Sequence, residues 1–281
     1  MKYTYLTKNA FSLLEVIFVI VILGIVSSVG ASIIANVYES HIVNRAQYSA
    51  SIKSEQTLNQ ITNRLRYAIP GTVVAKDSPT DTTFTYLTEI NSTATRHVLQ
   101  WVGYDGDSFE AMTSTSRRPG WSGFIDLKQS TPGTLVTPGS NLGLADEIID
   151  KLSGSTKSLT DARLFFPGGI DPLTVIGGSG ESISVTGLSS GDTITERYKL
   201  AWSSYAIVFE GTNLWLYYNF PPTVGASLSG VTRSLLLANV TTFSFKGSEG
   251  SLRIKVCQYE YMDTNVIADA ARSCKEKIIL Y

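Results

Sequence analysis

Histidine and cysteine are almost missing from this chain, with two of each in 281 residues. His41 and His97 stand too far apart to form a metal pair by spacing. Neither an HExxH helix motif nor a phosphate-cradling glycine loop ending in Lys-Ser/Thr occurs. The usual signatures of zinc hydrolysis and of nucleotide phosphate binding are therefore absent. Charge of one sign is also scarce: 23 Lys and Arg stand against 24 Asp and Glu. Nucleic-acid binding relies on clustered basic residues, so this balance gives no global attraction for a phosphate backbone. Internal repeats are lacking. Glycine and proline are absent from Ser32 to Ile69, which removes the usual helix breakers from that stretch.

The chain holds one long apolar run. From Leu13 to Val29 it is almost entirely Leu, Ile, Val and Phe, and Phe11 to Ala31 reaches the length of about 20 residues that a membrane helix needs. Glu15 interrupts it. A carboxylate at membrane depth costs about 2.5–3.5 kcal/mol on insertion scales, so an acid there is a functional candidate by default. Lys2 and Lys8 precede the run, and no Lys or Arg follows until Arg45. The positive-inside rule then puts the N-terminus in the cytoplasm and the remainder outside. Cys257 and Cys274 fall in that exported part, where an oxidising compartment favours a disulfide over free thiols. A loop of that length is worth about 3 kcal/mol in the chain-entropy description.

The residues Lys8-Asn9-Ala10-Phe11-Ser12-Leu13-Leu14-Glu15 combine a short polar leader, a Phe and an acid four positions on. This pattern resembles the class III leader of type IV pilins and type II secretion pseudopilins. The resemblance implies a membrane-embedded prepilin peptidase that cuts between Ala10 and Phe11 and methylates the new N-terminus. The family usually has Gly where this chain has Ala10, a small residue expected to slow processing without abolishing it. It further implies that Glu15 meets the N-terminal amine of a neighbouring subunit, which sets the register of filament assembly. An opposite charge offsets most of the cost of an isolated one in an apolar bundle. Without residues 1–10 the chain would lose Lys2 and Lys8 and carry a net charge of −3.

Helix signals continue past the membrane run until Pro70-Gly71 supplies a stop. Leu58, Ile61, Leu65 and Ala68 step by three and four and so share one face. A single helix over Phe11–Ile69 would be about 88 Å long. Beyond it the pattern turns to short strands. Thr82–Leu87 pairs with Arg96–Val102 on this reading. Tyr205–Phe209 and Asn213–Tyr218 form a hairpin across Glu210-Gly211-Thr212, and Val240–Phe245 pairs with Ser251–Cys257. Residues 130–195 read as a Gly/Ser-rich, loop-heavy insertion with a short helix at Leu144–Leu152, and Asn265–Ile279 as a short helix. The expected organisation is leader (1–10), membrane half of the helix (11–31), amphipathic half (32–69) and an antiparallel β-rich domain (70–281). The fold class is α+β, pilin-like, with one long N-terminal helix packed on an antiparallel β domain.

Three other features attract attention. Asp105-Gly106-Asp107-Ser108 carries oxygen ligands at short spacing, a weak calcium candidate that lacks the acid completing an EF-hand loop and otherwise reads as a surface turn. Trp121 near Arg117-Arg118 has the composition of a base-stacking site, though two arginines on an acidic chain argue against nucleic acid. Gly177-Gly178-Ser179-Gly180 reads as a loop. The run Leu235–Leu237 leading into Val240-Thr241-Thr242-Phe243-Ser244-Phe245 resembles pseudopilin J and W-type minor pilins. The expectation is thus a non-enzymatic minor subunit of a type II secretion pseudopilus or type IV pilus. It would need no cofactor, would sit in the bacterial inner membrane with its β domain in the periplasm, and would partner with prepilin peptidase and other pilin or pseudopilin subunits. A filament-displayed binding module, such as an adhesin or DNA-uptake receptor, is the alternative, with a membrane-anchored periplasmic enzyme behind it.

Overall fold

The computed structural model describes residues 12–89, 96–113, 117–168, 171–189, 191–248, 250–261 and 270–280. They divide into two compact units, one within Met1–Ser49 and Glu260–Ala271, the other within Ala50–Tyr259 and Arg272–Tyr281. The fold is α+β: one long apolar-starting helix and antiparallel sheets.

Helix α1 runs over Leu13–Leu65, 53 residues without a break. It stops short of the expected Ile69 because the following residues are claimed by a sheet. Ala68 bridges to Gly103, and the Ile69 N–H donates to the Val102 carbonyl at 2.9 Å. In the first unit the apolar residues of α1 from Leu13 to Val26 are exposed. In the second unit the three-and-four spacing does what periodicity predicts: Leu58, Ile61, Leu65 and Ala68 are all buried.

The chain then lays down β1 (Val74–Lys76), β2 (Thr85–Tyr86) and β3 (Val98–Gly103), with β1 between the other two. The expected pairing of Thr82–Leu87 with Arg96–Val102 is therefore wrong. The intervening β1 is too short, and too interrupted by Lys76, to announce itself as a strand. After a short helix α2 (Gly106–Glu110) comes a second, self-contained β region: β4 (Asp126–Thr131), β5 (Thr134–Val136), helix α3 (Leu142–Ser153), β6 (Arg163–Phe165), β7 (Leu173–Ser179), β8 (Ser182–Thr186) and β9 (Lys199–Ala201). These strands form one sheet in the order β4-β5-β8-β7-β6-β9. The chain returns to the first sheet with β10 (Ser203–Glu210), β11 (Asn213–Phe220) and β12 (Arg233–Leu237), giving the order β12-β11-β10-β3-β1-β2. It ends in a three-stranded sheet of β13 (Val240–Ser248), β14 (Ser251–Tyr261) and β15 (Ala270–Leu280).

Position in the sheet explains burial. β3 lies between β1 and β10 and is buried along its whole length. Leu99 and Trp101 join Leu58, Ile61 and Leu65 of α1 in the main core, together with Leu252, Ile254 and Val256 of β14. Arg253 and Lys255 point outward, the alternation expected of a half-buried strand. On the opposite face Val98, Val208 and Phe220 pack with Leu228 from the loop after β11. A buried cation holds that loop. Lys76 Nζ donates to the Ala226 carbonyl at 2.8 Å, to Gln100 Oε1 at 3.3 Å and to the Gly225 carbonyl at 3.4 Å. Burial pulls its pKa down, and nearby Asp81 opposes the fall. The Glu210–Asn213 hairpin forms as expected, with Gly211 at φ +61°.

The described part of residues 130–195 is more ordered than a loop-heavy insertion: it holds β5, α3, β6, β7 and β8. Their core joins Leu135, Leu164, Leu173 and Ile183 to Leu142, Ala145 and Ile149 of α3, so the helix expected near Leu144–Leu152 is present and slightly longer. Gly154, at φ +69°, ends it by donating to the Asp150 and Lys151 carbonyls. Gly177 and Gly178 lie inside β7 rather than in a loop. A Cβ at Gly178 would press on Leu159 and Leu142 at 3.0–3.1 Å, so close packing of the helix region on the sheet requires the glycine. The expected C-terminal helix is replaced, over its described part, by β15, and residues 265–269 lie outside the described residues. A disulfide joins Cys257 on β14 to Cys274 on β15, with 4.0 Å between their Cα atoms. Cross-strand pairing overrides the helix preference of an Ala-, Lys- and Glu-containing segment.

If α1 anchors the main core, Leu58→Ala should lower the unfolding free energy of the β domain by about 2–5 kcal/mol. A urea titration followed by near-UV circular dichroism should show the midpoint fall, while a change at exposed Arg253 leaves it in place.

Candidate functional site

The first turn of α1 is the first candidate. Ser12 precedes the helix, and its side-chain oxygen accepts the Glu15 N–H at 3.2 Å. Its carbonyl accepts the N–H groups of Glu15 and Val16 at 3.1 and 3.3 Å. Ser12 thus caps the helix, and Ser-x-x-Glu is the spacing of a capping box, a signal present in the sequence and overlooked there. Glu15 is exposed among exposed apolar neighbours. An acid in the first turn also suits the positive end of the helix dipole. Ala10 and Phe11 lie outside the described residues. The helix is long and apolar enough to cross a membrane, with a mean hydropathy of 2.7 in its most apolar stretch.

Asp105 is neither a surface turn nor an open ligand. It is 4% exposed and caps α2, its Oδ1 accepting the Ser108 N–H at 3.1 Å. Its backbone ties three elements together: the N–H donates to the Leu200 carbonyl in β9, and the carbonyl accepts the Trp121 indole N–H, each at 2.8 Å. Oδ2 is buried and makes no hydrogen bond of regular geometry, with the Trp202 side chain near enough to favour its charged form. Burial pushes the carboxyl up to about 6; the bond from Ser108 opposes this, and the charge of Asp107 adds to it. Asp107 is exposed. Calcium takes six to eight oxygens, whereas this turn brings one carboxylate already used as a cap and one in solvent. Among the described residues no group of three His, Cys, Asp or Glu side chains gathers.

Trp121 is buried, so it offers no face for base stacking. Its ring packs against Phe109 and Tyr198 at 4.7 and 5.6 Å between centroids, and Arg118 pairs with Glu181 at 2.8 Å. One serine motif escaped the sequence reading: Gly187-Leu188-Ser189-Ser190-Gly191 has the Gly-x-Ser-x-Gly spacing. A nucleophile elbow needs a strand, a sharp turn and a helix. Here β8 precedes it and β9, a strand, follows; Ser190 lies outside the described residues.

The aromatic residues around Trp121 border a cleft of about 490 Å³, lined by Tyr104, Phe109, Trp121, Phe165, Phe166 and Tyr198. Arg197 and Lys199 line it as well, and Lys199 Nζ stands 4.6 Å from the Tyr104 ring centroid. No sequence signal marks this cleft, because its walls come from five separated stretches of chain. Comparison with known protein families, curated protein sequences and solved structures finds no match to this chain.

The raised Asp105 pKa has a fixed sign. The folded form holds its proton to higher pH than the unfolded chain, so stability is fullest below pH 4 and declines as pH rises through about 6. The loss is bounded at about 3 kcal/mol. Asp105→Asn keeps a good cap and removes the ionisation. Its urea midpoint should exceed the wild-type value at pH 7.5 and converge with it near pH 4. Parallel pH profiles would show that the carboxyl ionises normally.

Proposed function

We propose that this chain is a minor, pilin-like structural subunit of a type II secretion pseudopilus or a type IV pilus. It is made with a leader, cut by prepilin peptidase between Ala10 and Phe11, held in the inner membrane by its first helix and drawn into a short filament near the tip. The observation that carries this reading is α1: an apolar stretch with exposed side chains, broken by one acid in its first turn, in a helix whose last turns supply Leu58, Ile61 and Leu65 to the core of a β domain. A plain membrane anchor requires only the apolar stretch. It requires neither Glu15 nor a helix shared with the core.

In this reading the exposed Leu, Ile and Val side chains of α1 face lipid before assembly and neighbouring helices after it. Glu15 then meets the free amine of Phe11 on an adjacent subunit, and the β domain is carried to the outside. The disulfide between Cys257 and Cys274 suits an oxidising periplasm. The role is structural, with no catalysis and no cofactor.

Mass spectrometry of the mature N-terminus tests the reading. A chain beginning at N-methylated Phe11, formed only when prepilin peptidase is present, is the expected result; an intact Met1 in its presence would defeat it. Glu15→Gln isolates the charge, since Gln suits the same position of a capped helix and keeps the size of the side chain. Both Glu15→Gln and Glu15→Ala should remain in the membrane and drop out of sheared filaments by at least tenfold. Normal incorporation of Glu15→Gln would show that the acid serves the cap alone.

A further inference from the structure

The aromatic cleft has no part in filament formation as proposed above, yet its chemistry is unusual for a bare surface. Its size is within the range of specific small-ligand and side-chain pockets, about 300–1,000 Å³. Its described lining is mostly ring and aliphatic carbon and includes no carboxylate, but it includes two cations. Lys199 is half-buried and rests on Tyr104. Burial lowers its pKa, so the ammonium is short of solvent. Several other cations on this unit find acids: Arg96 meets Asp77, Arg118 meets Glu181 and Lys157 meets Asp161. Lys199 has the Tyr104 ring and no acid, and Arg197 beside it has no ion pair among the described residues.

An occupant that satisfies both halves of this cleft must join an apolar or aromatic group to a negative charge. The rim favours a peptide over a compact metabolite. Phe109 is 43% exposed at the edge, Phe124 is equally exposed next to Gly123, and Pro70 and Pro167 continue the apolar border. Phe124 is also bridged through its backbone to Arg197, so apolar and cationic surface continue side by side beyond the cleft itself. A contiguous patch of this kind marks a contact site more often than an isolated exposed ring does.

We infer that the cleft docks an acidic–aromatic segment of a partner protein, with an aromatic side chain seated against the exposed ring of Phe109 and the adjacent carboxylate met by Lys199 and Arg197. The rings supply the contact area, and the two cations select an acid beside the ring over its neutral counterpart.

The full chain in phosphatidylcholine nanodiscs, titrated with acetyl-Ala-Phe-Asp-Ala-amide and followed by saturation-transfer NMR, tests this assignment. The Asp peptide should bind about fivefold or more tightly than acetyl-Ala-Phe-Asn-Ala-amide, the increment expected of a charge-assisted contact. That preference should vanish in Arg197→Gln, whose exposed position leaves folding intact, and in Lys199→Met, which keeps the apolar stem; unchanged circular dichroism verifies both folds. Equal affinity for the two peptides, no saturable binding up to millimolar peptide, or a preference that survives both substitutions would overturn the proposal. Binding of 3-phenylpropionate as tight as that of the Asp peptide would overturn the peptide assignment in favour of a small carboxylate.

Discussion

The contact on which this β domain depends is the burial of one face of α1, Leu58, Ile61 and Leu65, against residues from two different sheets. Leu99, Trp101 and Ile207 belong to the six-stranded sheet that begins after α1, and Leu252, Ile254 and Val256 belong to the three-stranded sheet at the other end of the chain. Strand pairing alone does not join those sheets; the shared core does. Each buried aliphatic side chain removes roughly 1.5–3 kcal/mol worth of surface from water. The helix therefore closes a gap that neither sheet covers alone. A leucine lost from its buried face is felt in both sheets at once.

The second six-stranded sheet stands on a different core and meets the first through a small cluster: Ile69 and Val102 on one side, Phe165 and Ala201 on the other. Asp105 sits beside this junction. Its N–H reaches Leu200, its carbonyl takes the Trp121 indole, and its side chain caps α2. The geometry uses Asp105 for hydrogen bonding, which a neutral acid or an amide provides as well as an anion does. That explains how a buried carboxyl is tolerated there: below about pH 6 it mostly keeps its proton and avoids most of the cost of a buried charge. The same junction forms one edge of the aromatic cleft, so the rings that line it are held by the core rather than by solvent-facing loops.

Sequence patterning revealed the parts of this fold whose physics is local. The three-and-four spacing of Leu58, Ile61 and Leu65 and the alternation of Leu252, Ile254 and Val256 are both consequences of which side chains must leave water, and both appear in the structure. The turn at Gly211 was legible for the same reason. The errors have tertiary causes. β1 is three residues long and contains a charged Lys76 made acceptable by Gln100 and by the distant Gly225 and Ala226 carbonyls. The glycines of β7 read as loop because their use, making room for Leu142 and Leu159, is invisible until the helix and sheet meet. β15 carries helix-favouring residues, and its strand state follows from pairing with β14 rather than from its own preference. At the candidate site, Ser12 and Glu15 are readable as a pair, whereas the cleft is not, because its lining comes from short stretches far apart in sequence.

The capping geometry at Ser12 sharpens the argument about Glu15 instead of replacing it. A capping box explains a Glu or a Gln at that position equally well. The pull of a helix dipole on an acid is worth about 0.3–1 kcal/mol at an exposed site. Placing a carboxylate at membrane depth costs about 2.5–3.5 kcal/mol on insertion scales, which exceeds the dipole contribution by a wide margin. Local structure thus suits a Glu or a Gln at residue 15 and leaves the charge unexplained. An opposite charge brought close in a medium of low dielectric is the interaction large enough to offset the remainder. None of the described residues from Ser12 to Val26 supplies one. On the proposed reading it comes from the amine of a second copy or a sister subunit, and the acid that makes an isolated helix uncomfortable in the membrane is what gives the assembled filament its register.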